Sequence, residues 1–158
     1  MGQVVSQDEL ILHRSGWKRN GKGVVFASGR FDLLHPGHVR LLEQASKLGD
    51  ILVVGVQSDA MVQASSGRGE VAINAVELPI TLASERMEIL ASLAAVDFAV
   101  EFDASTPKEL VARLEPDIVV VGGGEAADHN ASQKIVSIPL EPGFSTSRLI
   151  ERITQLRA

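Results

Sequence analysis

An α/β domain is the fold class this sequence predicts, and three observations predict it. Short runs of β-branched and aliphatic residues recur at 23–29, 50–56, 97–102, 117–124 and 134–140. Stretches with apolar residues at helical spacing lie between and after them. Several of the runs are apolar at almost every position, as strands covered on both faces are. Together these imply βαβ units, right-handed crossovers and a Rossmann-like three-layer sandwich. The sheet is expected to be five-stranded and mostly parallel, with helices on both faces.

Each element has a local reason. Residues 1–22 read as an N-terminal helical extension, in which "DELILHRSGW" can dock Leu10, Ile11 and Trp17 on the body. The main domain then spans 23–158. "GVVFASG" (23–29) is the first strand. "PGHVRLLEQASKLG" (36–49) places Val39, Leu41, Leu42, Ala45 and Leu48 at helical spacing, with Gly49 as the expected C-cap. "DILVVGV" (50–56) is the second strand. The stretch 58–79 is not assigned, and "SSGRGE" (65–70) reads as a mobile loop. "TLASERMEILASLAAV" (81–96) is an amphipathic helix and "DFAVEF" (97–102) a strand. "TPKELVARLEP" (106–116) is a helix with Thr106 as N-cap and Pro107 at the first helical position. "DIVVVGGG" (117–124) and "KIVSIPL" (134–140) are strands, and "STSRLIERITQLRA" (145–158) is a closing helix.

Composition narrows the function. The chain has 158 residues, which suits one main domain, and no cysteine, which excludes disulfides and thiolate metal sites. A net charge of −5 argues against broad nucleic-acid binding but leaves room for a local cationic pocket. No apolar run is long enough for a membrane span, and no secretory signal pattern is present, so a cytoplasmic protein is expected. "MGQVVS" matches a myristoylation pattern with no second membrane signal beside it. A metal site from His13, His35, His38 and His129 lacks ligand spacing. "GGGEAA" (122–127) has the form of a dinucleotide fingerprint but sits too near the C-terminus to open one, and "NAS" (130–132) has no signal to deliver it for glycosylation.

The stretch "GRFDLLHPGHVRLLEQA" (29–45) falls where a strand hands over to a helix. Pro36 is preset for a first helical turn. A helix start offers free N–H groups and a positive dipole end, which favour anions. Gly37 lets a ligand approach the backbone closely. His35 and His38 lie about one turn apart, so both rings can face one pocket and stabilise charge on phosphate oxygens. In parallel sheets ligands bind beyond the carboxyl ends of strands at a switch in strand order, so the loops there should converge.

At "GRFDLLHPGH" the sequence resembles the H-x-G-H nucleotidyltransferase family. The longer stretch "FASGRFDLLHPGHVRLLEQASKLGDILVVGVQSD" is similar to adenylyltransferase domains of ADP-heptose synthases and to glycerol-phosphate cytidylyltransferases. "ERMEILASLAAVDFAVEF", "LEPDIVVVGG" and "EPGFSTSRLIERI" continue the likeness in order, over roughly 24–153. The resemblance implies transfer of a nucleotidyl group from ATP or CTP, with Mg²⁺, to a sugar or polyol phosphate. Heptose 1-phosphate is the leading acceptor, ATP is favoured, and a homodimer is expected. It further implies His35, His38 and Arg86 as catalytic residues. Ser28, Gly29, Arg30, Phe31, Asp32, Gly37, Gly122, Ser145, Thr146 and Ser147 would bind the nucleotide, with Asp32 also on the metal. Arg68, Gly123 and Glu125 would face the acceptor.

The chain departs from this pattern in one place. Heptose enzymes carry a lysine, two glycines and an aspartate after the fourth strand, where this chain has Val121, Gly122, Gly123 and Gly124. The nucleotide half matches and the acceptor half differs. Two other readings therefore stand beside the first: a CTP-dependent enzyme using a polyol phosphate such as glycerol 3-phosphate, and a nucleotide-binding module without catalysis.

Overall fold

A computed structural model describes residues 1–66, 77–104, 107–122 and 133–157. Its strands are β1 (Gln3–Val4), β2 (Val24–Gly29), β3 (Ile51–Gln57), β4 (Phe98–Phe102), β5 (Ile118–Gly122) and β6 (Lys134–Ile138). Its helices are α1 (Gln7–Arg19), α2 (Pro36–Ser46), α3 (Asp59–Ser66), α4 (Ala83–Ala91), α5 (Lys108–Leu114) and α6 (Thr146–Leu156). Every strand pair is parallel, in the order β1-β4-β3-β2-β5-β6.

The sheet thus has six strands where five were expected. The added strand is β1, which pairs Gln3 with Phe98 and Val4 with Ala99. Gly2 anchors it by donating its N–H to the Ala91 carbonyl at 2.8 Å. A Cβ at Gly2 would lie 2.4 Å from the Val96 carbonyl oxygen, so close approach of two backbones explains this glycine of the "MGQVVS" pattern.

Alternation along the strands divides the core between two faces. Val25, Ala27, Val54 and Val56 pack with Leu42 and Ala45 of α2 and with Met87, Leu90 and Ala91 of α4. Val24, Phe26, Val53 and Val100 pack on the other face with Leu10 of α1 and with Leu110, Val111 and Leu114 of α5. Each fully buried side chain of this kind contributes about 1.5–3 kcal/mol. The apolar stripe of α4 is used for this packing. Ile11 and Trp17 join Leu10 in holding α1 down, as expected.

Helix ends follow local chemistry. Ser6 caps α1 by accepting from the Glu9 N–H at 3.2 Å, while Glu9 accepts from the Ser6 N–H at 2.7 Å. Arg14 donates to the carbonyls of Leu114 and Glu115, each at 2.8 Å, and closes the C-terminal end of α5. Helix α2 stops at Ser46 with Lys47 as C-cap, not at Gly49. Gly49 has another reason: a Cβ there would meet Val25 at 2.7 Å and the Gly23 carbonyl at 2.9 Å. Helix α4 is shorter than 81–96, because the chain turns at Leu93 and Val96 to enter β4. Pro107 stands at the N-cap of α5, its carbonyl accepting from Val111, and Thr106 lies outside the described residues.

The unassigned stretch 58–79 contains α3. Ser58 starts it, donating to the Asp103 carboxylate at 2.5 Å and accepting from the Met61 N–H at 3.3 Å. The rest of the predicted mobile loop, and the "GGGEAA" and "NAS" segments beyond Gly122, lie outside the described residues.

Candidate active site

Strand β2 lies between β3 and β5, so the connections leave it in opposite directions. That switch point opens a cleft of about 330 Å³ at the carboxyl ends of β2 and β5. Ser28, Gly29, Arg30, Phe31, Asp32, His38, Gly122, Thr146 and Ser147 line it. Nine of the expected site residues therefore meet in one place. Leu41, Val62, Leu78, Leu140 and Ile150 supply apolar walls that the motif reading missed. They are spread over five segments, and no spacing in the sequence connects them.

The histidines are set by the start of α2. His35 is its N-cap, with extended backbone, and Pro36 follows. The Gly37 N–H donates to His35 Nδ1 at 3.1 Å, and the His35 N–H faces His38 Nδ1 at 3.4 Å. The two rings stack with centroids 3.8 Å apart. Gly37 is required here, because a Cβ would sit 2.9 Å from the His35 ring. With both Nδ1 atoms accepting, each neutral ring carries its proton on Nε2. Burial pushes the His38 imidazole down to about 4, and the neighbouring His35 adds to the effect. Burial lowers His35 as well. Near neutral pH the pair is therefore two uncharged N–H donors at the positive end of a helix dipole.

The loop that precedes them is held in an uncommon backbone. Phe31 and Leu33 have φ of 51° and 48°, the left-handed region that costs a residue with a Cβ. Asp32 between them is 4% exposed. Its carboxylate accepts from the N–H groups of Ile80 and Thr81 at 2.7 and 3.0 Å and from the Thr81 hydroxyl at 2.7 Å. Its carbonyl accepts from the Thr146 hydroxyl at 2.6 Å. Asp32 thus fastens the β2 exit to the lead-in of α4 and to the start of α6. That arrangement does not fit the expected metal-ligand role, since the carboxylate is turned to the protein. Among the described residues no group of three His, Asp or Glu could hold a metal ion.

Arg86 is placed differently from a helix charge facing the pocket. It is 1% exposed. Nε donates to the Thr81 carbonyl at 3.0 Å and Nη1 to the carbonyls of Arg30 and Gln57 at 2.6 and 2.8 Å. Nη2 pairs with the Asp59 carboxylate at 2.7 Å. Four hydrogen bonds therefore tie the exits of β2 and β3 to α3 and α4. A rigid five-donor fork suits this task.

The three hydroxyls of "STS" divide their work. Ser145 caps α6 by accepting from the Arg148 N–H at 3.1 Å. Thr146 bridges to Asp32, and Ser147 lines the cleft. Arg68, Gly123 and Glu125, expected at the acceptor, lie outside the described residues, as does Gly124. No helix among the described residues is long and apolar enough to cross a membrane.

Comparison with known proteins bears on this geometry. The sequence model of the family described as cytidylyltransferase-like matches residues 26–152. The bifunctional protein HldE of Koribacter versatilis is 39% identical over 158 residues, 95% of this chain and 31% of that protein. The bifunctional protein HldE of Campylobacter jejuni is 39% identical over 155 residues, 96% of this chain and 31% of that protein. The chain therefore spans about a third of the length of the curated relatives it matches. A crystal structure of the lipopolysaccharide core biosynthesis protein from Thermoplasma volcanium superposes with a TM-score of 0.60 at 29% identity, over 77% of this chain and 99% of that one. The matched span runs from β2 through the histidine pair to α6, and the chain belongs to the cytidylyltransferase-like family.

Proposed function

We propose that the chain is a nucleotidyltransferase that joins a nucleoside triphosphate, ATP in preference to CTP, to a sugar 1-phosphate such as heptose 1-phosphate. A phosphate oxygen of the acceptor attacks the α-phosphorus of the nucleotide. The new P–O bond forms as the bond from the α-phosphorus to the bridging oxygen breaks, and pyrophosphate leaves with that oxygen and its electron pair. The attacking oxygen is already anionic, so no general base is required. Catalysis rests on positioning and on donors aimed at developing charge.

The observation that carries the reading is the stacked pair His35 and His38, both Nδ1 atoms engaged with backbone and both Nε2–H groups left as donors. The heptose acceptor is supported by the similarity to HldE proteins and to the lipopolysaccharide core protein. Magnesium enters this reading with the triphosphate as part of the substrate, which is how Mg²⁺ is commonly held. Arg86 and Asp32 position the loops around the cleft, and Arg30 brings a cation to its lining.

The test is pyrophosphate release with Mg-ATP or Mg-CTP against heptose 1-phosphate and glycerol 3-phosphate. ATP with heptose 1-phosphate should be the fastest pair. His35→Ala or His38→Ala should lower its turnover about 10²–10³-fold with the fold intact. Preference for CTP would transfer the reading to the polyol-phosphate alternative. Nucleotide binding without pyrophosphate release from any pair would leave a non-catalytic module.

A further inference from the structure

The His35 imidazole borders open space. Together with Arg148 and Arg152 of α6 it lines a second cleft, of about 440 Å³, so on that side the ring is not met by packed core. An imidazole so placed needs a neighbour to keep its rotamer. Two rings stack with it. The His38 ring lies 3.8 Å away between centroids. The Phe144 ring lies 6.3 Å away and 17° from parallel, an offset stack within the range at which aromatic rings attract. The turn before α6 is built to present Phe144. Its N–H donates to the Glu141 carbonyl at 3.4 Å, with Pro142 and Gly143 between them. Gly143 has φ of 87°, so the pair fits a type II turn, proline second and glycine third. Arg148 holds that turn by donating from Nη1 to the Gly143 carbonyl at 3.1 Å. Arg40 of α2 pairs with the Glu141 carboxylate at 3.2 Å and lies over the Phe144 ring, 5.3 Å from its centroid. A Cβ on Gly37 would lie 3.1 Å from the Phe144 Cβ, so Phe144 is seated against the first turn of α2. It stays 39% exposed, so ring stacking more than core burial accounts for its placement.

We propose that Phe144 is a positioning residue for His35: its ring, steadied by Arg40, keeps the imidazole stacked on His38 with Nε2–H presented as a donor. The inference rests on the nucleotidyltransferase reading. The Gly37 N–H holds the imidazole at Nδ1 alone, and a single hydrogen bond leaves a ring free to tilt about it. Phe144 takes that freedom away by covering the ring. A donor set in place beforehand does not have to be ordered as charge develops. Phe144 itself touches no substrate in this role and acts only through His35.

Phe144→Leu keeps the apolar bulk and removes the stack. It should lower kcat with Mg-ATP and heptose 1-phosphate by about 3- to 10-fold, the range an aromatic pair contributes, with KM held within about twofold. Phe144→Tyr keeps a ring and should retain kcat within about twofold. In a His35→Ala background, Phe144→Leu should cost nothing further. Nuclear Overhauser contact between the His35 and His38 rings, measured without substrate, should be present in the wild type and in Phe144→Tyr and weakened in Phe144→Leu. Unaltered ring contact in Phe144→Leu would overturn the proposal, whatever its kcat. So would a wild-type kcat in that variant, a KM rise as large as the kcat loss, or an equal loss in the His35→Ala background. If the wild type turns over no substrate pair, the functional reading fails and the ring contact decides alone. Its loss in Phe144→Leu and retention in Phe144→Tyr would then support the positioning role, and its persistence in Phe144→Leu would end it.

Discussion

Arg86→Gln separates a positioning arginine from one that touches substrate. Removing the guanidinium takes donors from the carbonyls of Thr81, Arg30 and Gln57 and leaves Asp59 without its cation, though still accepting from the Ala83 N–H at 2.8 Å. Hydrogen bonds to a charged group contribute about 1.5–3 kcal/mol each, so four taken at face value would exceed the stability of many domains. They are not additive, and the Asp59 side chain is 34% exposed, so water takes over part of its solvation. The applicable scale is loss of one partner of a buried pair, about 3–5 kcal/mol. For a domain of this size that lowers Tm by roughly 6–20 °C. Lysine has three donors and no planar fork, so Arg86→Lys should recover part of the stability but not all. Thermal and urea unfolding measure the stability, and pyrophosphate release measures kcat and KM on the same samples. Stability should fall first, with KM rising as the loops around the cleft loosen. A variant with wild-type stability whose kcat drops by orders of magnitude would refute this and return Arg86 to direct contact with the nucleotide.

Two further outcomes follow from the histidine pair. Gly37→Ala places a Cβ 2.9 Å from the His35 ring. It should displace that ring and lower kcat by about 10-fold or more, a barrier of about 1.4 kcal/mol, with little change in Tm. His38 is held well below its ordinary 6.5, at about 4. Between those values the unfolded chain binds a proton that the folded one refuses. Stability present above pH 6.5 should therefore be lost as pH falls toward 4, and His38→Asn should flatten that limb in pH-resolved thermal melts.

The interior of the sheet was legible because strands covered on both faces read as unbroken apolar runs. All five such runs became strands, each within a residue or two. β1 was not legible: two residues carry no periodicity, and they extend only because Phe98 and Ala99 present an edge. The site was legible where chemistry and spacing coincide, as at His35, Pro36 and His38. The rest was hidden because its partners come from distant segments. Arg86 reads as a catalytic residue through the resemblance, and the carbonyls of Thr81, Arg30 and Gln57 that hold it come from segments no spacing connects. Asp32 reads as a metal ligand until the amides of Ile80 and Thr81 close on it. Arg148 and Arg152 carry no motif in the sequence, and only the packing of α6 beside the start of α2 brings them to one cleft with His35.

The two-residue length of β1 has a further consequence. A parallel sheet with an open edge can accept a foreign strand, and long, flat edges are where chains aggregate or exchange segments. Here the β4 edge is already taken by Gln3 and Val4, and what faces outward in its place is a ladder only two residues long. Helix α1 follows immediately and turns the chain back over the sheet. The N-terminal segment therefore works as a stopper that ends sheet growth on that side. Deleting it would expose the full β4 edge and favour self-association through strand pairing.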